Sequence, residues 1–257
     1  MTVAEDNRFQ DFFEDGQYVA LKNYLYNYQL RKRAVEKVMQ NEEKDLVLEI
    51  GSGISPVLTS WNRVVYSDLS FSALRHLSRN QKKGYYVVAD GMNLPFRDAS
   101  FSHVISSEVL EHIEDDRRAL REIARTIRPG GALIVTFPHR RFYFSIDDRF
   151  VNHHRRYELS EMISRLVEAG LQPVSVQKVL GPLEKIAMIL VISTISIFQG
   201  SLKKQTQAPQ SKPPDILIRF FKWANRVFAG LARIDALVMP RSLSTVLLIK
   251  AVRKTDS

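Results

Sequence analysis

Five short runs, four of them almost wholly apolar and each stopped by glycine, aspartate, serine or proline, constrain this chain more than anything else in it. Leu46–Ile50 runs into Gly51-Ser52-Gly53, Val64–Ser67 into Asp68, and Tyr85–Ala89 into Asp90-Gly91. Ser102–Ser106 is followed by Ser107, and Ala132–Phe137 by Pro138. Runs of this length without apolar/polar alternation are strands buried on both faces. Helical patterns lie between them at Phe71–Lys82 and Asp115–Thr126, the second amphipathic and stopped by Pro129-Gly130-Gly131. Strands alternating with helices predict an α/β chain with a doubly wound, mostly parallel sheet.

In such a sheet the ligand lies outside the carboxyl ends of the strands, near the switch in strand order. Gly51, Gly53, Asp68, Asp90, Ser106 and Ser107 all fall at or just past those ends. A carboxylate accepts both hydroxyls of a ribose diol, which suits Asp68, and accepts an adenine amino group, which suits Asp90. No Gly-Lys-Ser/Thr follows the glycine turn, so a phosphate-cradling loop is excluded, and Ile54-Ser55-Pro56 stands where a dinucleotide site wants a third glycine.

The chain has no cysteine, which excludes disulfides, thiolate metal sites and a cysteine nucleophile. Its net charge of +9 is uneven. From residue 200 onward there are 11 Lys/Arg against 3 Asp/Glu, and before it 26 against 25. The basic tail suits an anionic surface. Residues 2–8 carry no apolar leader, so the expectation is a cytoplasmic protein, peripheral at the membrane. Residues 9–40 are rich in aromatics, and the spacing predicts a helix over about 17–40, packed on the core or lying as a lid over the cleft.

Glu49-Ile50-Gly51-Ser52-Gly53, Asp68 and Ala89-Asp90-Gly91-Met92-Asn93-Leu94-Pro95-Phe96 resemble the successive motifs of class I S-adenosylmethionine-dependent methyltransferases. Ser106-Ser107-Glu108-Val109-Leu110-Glu111-His112 and Arg128-Pro129-Gly130-Gly131 continue the likeness, which spans about residues 45–138 and resembles the subgroup acting on small molecules, lipids and quinones. The resemblance implies a seven-stranded Rossmann-like methyltransferase fold and S-adenosyl-L-methionine as cofactor. It implies that Gly51 and Gly53 line the methionine part, that Asp68 binds the ribose, that Asp90, Gly91 and Met92 bind the adenine and that Ser107 contacts the cofactor, with Glu49, Ser52 and Leu69 also among the cofactor-binding residues. The short segment after Gly53 departs from the family, which has a longer helix there.

Three sets of residues carry further chemistry. Glu108, Glu111 and His112 would share one side of a helix and resemble a divalent-cation motif of ubiquinone-type O-methyltransferases, although helix ordering accounts for them without metal, and no metal is expected. His139, past the fifth run, is a candidate general base. His153, Arg156 and Tyr157 belong to a His-His-Arg-Arg-Tyr stretch that in the family covers the active site, its arginines suited to an anionic acceptor.

Val174–Leu180 and Ser244–Ala251 read as the last two strands, consecutive in the family but here separated by about sixty residues. That insertion holds an apolar run, Ile186–Phe198, and an amphipathic, basic, aromatic helix over Ile216–Met239, a pattern suited to a membrane interface or to packing in a homodimer. The expected organisation is a helical lid over 1–42, a cofactor domain over 43–182 and 244–257, and a helical insertion over 183–243. The reaction expected is methyl transfer, an O-methylation, to a lipid, prenyl quinone or lipid-linked saccharide. An RNA methyltransferase and a non-catalytic cofactor-binding scaffold are the alternatives, with nucleic acid disfavoured by the large apolar residues of the tail.

Overall fold

The computed structural model describes residues 22–81, 83–189 and 215–255. The lid residues before 22 and the apolar run beyond 189 lie outside the described residues. Seven strands form one sheet in the order β3-β2-β1-β4-β5-β7-β6. They are β1 (Val47–Ile50), β2 (Val64–Asp68), β3 (Tyr85–Val88), β4 (Phe101–Ser107), β5 (Ile127–Pro138), β6 (Leu171–Leu180) and β7 (Val246–Arg253). β1 to β5 pair in parallel, and β7 enters antiparallel between β5 and β6. The expected α/β sheet is therefore present, and the order switches at β1, where connections leave to opposite sides.

Period-2 alternation divides the core into two layers. Val47, Val64, Tyr66, Ile105, Ile134 and Leu248 face one side, under α1 (Tyr26–Gln40) and α2 (Phe71–Asn80). Leu48, Val65, Val104, Leu133, Val135 and Ile249 face the other, under α3 (Asp116–Thr126) and α5 (Leu159–Glu168). Their starts are set by local chemistry: Ser70 accepts the Ala73 N–H at 3.2 Å at the head of α2, and Asp115 accepts the Arg118 N–H at 2.9 Å before α3. A short helix, α4 (Ile146–Phe150), follows β5.

The insertion before β7 contributes α6, described over 182–189, and α7 (Asp215–Val238). α7 packs against α1 and β6 through Ala229 and Ala232, which join the first core layer. Asn225 Oδ1 accepts the Tyr26 N–H at 3.1 Å, and Asp235 accepts the Leu183 N–H at 3.0 Å. These bonds fasten the insertion to both α1 and its own first helix.

Register then sets the site. Ile50 stands opposite Ser67 of β2 on one side and Ser106 of β4 on the other. Gly51, Asp68 and Ser107 consequently leave the sheet at one level.

Candidate active site

Gly51 and Gly53 both hold positive φ, +65° and +53°, which a side chain disfavours. A Cβ on Gly51 would also stand 2.4 Å from Val109 Cγ2. Asp68 closes the turn: its Oδ2 accepts the Gly53 N–H and its Oδ1 the Ser70 N–H, each at 2.8 Å. Each oxygen keeps a second lone pair for a ligand hydroxyl. Burial raises the Asp68 carboxyl, while its backbone donors and the nearby Lys22 ammonium pull it down. Lys22 itself is lowered to about 8, chiefly by burial and then by Arg31, with Asp68 and Glu49 opposing.

The third strand end follows the same logic. Asp90 Oδ1 accepts the Met92 N–H at 2.9 Å, and Asn93 N–H bonds back to the Asp90 carbonyl at 3.0 Å. α3 holds this loop from outside, through Glu122 on the Leu94 N–H at 2.9 Å and Arg118 Nε on the Met92 carbonyl at 3.0 Å. Gly91 lies beneath Ile113, where a Cβ would come to 3.2 Å. Leu69 is exposed at the rim, Ser52 is buried, and Ser107 Oγ shares a 2.9 Å hydrogen bond with Thr136 Oγ1.

Glu49 is the third residue of β1, just before the glycine turn. It is 2% exposed, and its two oxygens accept the N–H groups of Val57 at 2.7 Å and Leu58 at 3.1 Å. Those donors belong to the segment after Gly53, which is a loop with no helix. Tyr28 and Tyr66 hydroxyls donate to the carbonyls of Pro56 and Leu58 at 2.9 and 2.8 Å. Glu49 and two tyrosines thus hold in place what a helix would otherwise order. Burial raises Glu49 to about 7 against those donors.

The residues 108–112 do not form the α-helix expected for them. Glu108 sits at φ +55°, a strained position for its type, and only a 3₁₀ turn, Leu110–His112, follows. Glu108 turns away to pair with Arg31 of α1 at 3.2 Å. His153 takes its place: one ligand atom each from Glu111, His112 and His153 lies within 4.8 Å of the others, a spacing that could hold a divalent cation. Glu111 is fully buried, and among the described residues no other side chain hydrogen-bonds its carboxylate. Burial first, then Glu108, raises its carboxyl well above the usual range. Burial and the facing His153 lower His112 to about 3, so it is neutral.

His153 is oriented by Asp148, a residue sequence reasoning passed over. Its Nδ1 lies 2.9 Å from Asp148 Oδ1, and its Nε2 lies 3.7 Å from Glu111 Oε1, too far for a direct hydrogen bond. Asp148 is held by Arg156 Nε at 2.7 Å and by Lys185 Nζ at 2.6 Å, and Lys185 also reaches Asp147. Its carboxyl is drawn far below the usual range: His153, Arg156 and Lys185 together outweigh burial, the largest single influence. Lys185 belongs to α6, so the insertion supplies a buried cation to the segment past β5. Arg156 is 5% exposed and also reaches the His139 and Thr245 carbonyls at 3.4 Å. Tyr157 is fully buried and donates its hydroxyl to Asp116 at 2.6 Å. His139 is buried, its Nδ1 2.9 Å from the Ser244 carbonyl, and burial lowers it.

A glycine turn with carboxylates at two successive strand ends, on a sheet of this order, defines a nucleoside-binding methyltransferase fold. The profile of the family described as "Methyltransferase domain" matches residues 48–135. A demethylmenaquinone methyltransferase of Corynebacterium efficiens is 37% identical over 106 residues, 41% of this chain and 46% of that protein. A malonyl-[acyl-carrier protein] O-methyltransferase of Pseudescherichia vulneris is 27% identical over 175 residues, 61% of this chain and 69% of that protein. The chain spans about half the length of most curated relatives it matches. Among solved structures, a chain of the complex between the Haloferax volcanii Trm112 methyltransferase activator and a putative methyltransferase superposes with a TM-score of 0.62 at 18% identity, covering 96% of this chain and 97% of that one. Residues 48–135 thus match a methyltransferase domain family, and the chain is similar there to class I S-adenosylmethionine-dependent methyltransferases, the family its strand-end motifs resemble.

Proposed function

We propose that this methyltransferase O-methylates a membrane-associated or lipid-linked small molecule (a lipid, a prenyl quinone or a lipid-linked saccharide), with His153 as general base. The observation that carries the reading is the Asp148–His153–Glu111 arrangement. The Asp148 carboxylate fixes the proton on His153 Nδ1 and leaves the Nε2 lone pair facing the turn that covers Gly51. Gly51, Gly53, Asp68, Asp90, Gly91 and Met92 would hold S-adenosyl-L-methionine, which would supply the methyl group of its sulfonium and depart as the neutral thioether. As the acceptor oxygen attacks in line, its proton passes to His153 Nε2, which lies 3.7 Å from Oε1 of the buried Glu111. Arg156, Tyr157 and His139, whose polar atoms are engaged inside the fold, act in this reading as positioning residues. Support for the acceptor class comes from the apolar, basic insertion tied to the site by Lys185, and from the quinone and acyl-carrier substrates in the names of two relatives.

His153→Gln should lower methyl transfer to a lipid extract by about 10²–10⁴-fold while leaving cofactor affinity unchanged. Unaltered turnover would remove His153 from the chemistry. A second reading is favoured by the spacing of Glu111, His112 and His153: a divalent cation there would lower the acceptor's pKa directly. Transfer abolished by chelator and restored by one metal would select it, whereas the base reading predicts full activity after chelation.

A further inference from the structure

We propose that the outward face of α7 is a docking surface for an anionic lipid bilayer. α7 inverts the usual arrangement of a surface helix. Its small side chains, Ala229, Ala232 and Ala236, are 0–6% exposed and pack inward, while Asn225 caps the head of α1. Most of its large side chains point out: Ile216, Phe220, Trp223, Val227, Leu231 and Ile234 are 46–71% exposed, whereas Phe228 packs inward against Tyr26. Three- and four-residue spacing places all six on one stripe. A 24-residue helix extends about 36 Å, so the stripe is long and continuous. Single exposed apolar residues are ordinary on a protein surface, but a contiguous ridge ending in aromatic rings marks a contact surface.

Charge selects the occupant. Arg219, Arg226 and Arg233 are exposed and recur every seven residues, which sets them in one column beside the apolar stripe. Of the two acidic residues of α7, Asp235 is bound to the Leu183 N–H, so it does not offset that column. A second copy packed stripe to stripe would bring the same cations and no acidic column to meet them. An interfacial helix needs an apolar stripe that enters the acyl boundary, aromatics at headgroup depth and cations for anionic lipid. No described helix is long and apolar enough to cross a membrane, so the surface lies on the bilayer.

This inference deepens the lipid-acceptor reading and rests on it only for its purpose, which is to bring the cleft to an acceptor held in the membrane. The test is flotation of the full chain with phosphatidylcholine vesicles, with and without phosphatidylglycerol, in the absence of any acceptor. Binding is expected only with the anionic lipid and should weaken as salt rises. Phe220→Ser with Trp223→Ser should weaken it on the order of a hundredfold, and Arg226→Gln by about fivefold, both retaining cofactor affinity. Absence of flotation, or flotation indifferent to Phe220 and Trp223, overturns the proposal. So does a wild-type dimer in light scattering that those two substitutions dissolve, which would assign the face to a second copy. Vesicle binding without methyl transfer to lipid would overturn the acceptor reading alone. Transfer to detergent-dispersed lipid without vesicle binding would overturn the docking surface alone.

Discussion

Asp68 is the residue on which the cofactor turn depends, because one carboxylate fixes Gly53 and Ser70 while keeping lone pairs for a ligand. Asp68→Ala removes both anchors and, on the proposed reading, the acceptor for the ribose hydroxyls. We expect calorimetry with S-adenosylmethionine to show affinity lower by at least about tenfold, a loss of about 1–3 kcal/mol. Equal affinity would place the ribose elsewhere. Glu111 offers a test by pH. Its carboxyl is raised above the unfolded value, so the folded protein holds that proton more tightly than the unfolded chain. The resulting stability is complete below the unfolded carboxyl's pKa of about 4.3 and is lost as pH rises through the folded value. Glu111→Gln mimics the protonated form, so as pH rises from about 4.3 its melting temperature should fall less than that of the wild type. Parallel melting curves would mean that Glu111 is ionised in the fold. Sequence spacing singled out Glu111 and His153 but could not pair them, because they lie forty-two positions apart and meet only when the segment after β5 folds back. Asp148 was invisible for a similar reason. An Asp-Asp pair between Ile146 and Arg149 looks solvated until Arg156, Lys185 and His153 converge on it.

At the scale of elements, β1, β2, β4 and β5 were legible because a buried parallel strand has little choice of composition, whereas β3, expected to be buried on both faces, is an edge strand with Tyr85 and Val88 exposed. The loop after Gly53 was legible only as a shortage of residues. What replaces the missing helix is a buried carboxylate and two tyrosine hydroxyls from distant elements, which no local pattern announces. The turn over Gly51 was misread as helix because Glu108, Glu111 and His112 have helical spacing. The left-handed Glu108 and its bond to Arg31 override that spacing. Val109 of this turn packs over Gly51, so Gly51→Ala adds a clash to a disfavoured φ. Cofactor affinity should fall by at least about tenfold, since backbone strain of this kind is worth about 1–3 kcal/mol. A Val109→Ala background should recover only part of it, because the clash goes and the φ remains. Full recovery would show that the dihedral carries no cost.

Across the whole molecule, one chain of contacts joins the insertion to the site. Asp235 of α7 holds the start of α6, Lys185 of α6 holds Asp147 and Asp148, and Asp148 holds His153. The amphipathic period of α7 was plain in the sequence, but which face would turn outward was not, since packing on α1 accepts either small or large residues. The central claim is that this assembly moves a methyl group from S-adenosylmethionine to a lipid-like acceptor. The most direct measurement incubates the protein with methyl-labelled cofactor and, separately, membrane-lipid and aqueous extracts, then follows the label. We predict label in the lipid fraction with wild type and little with His153→Gln. Label confined to the aqueous or RNA fraction, or none while the cofactor binds, would contradict the account.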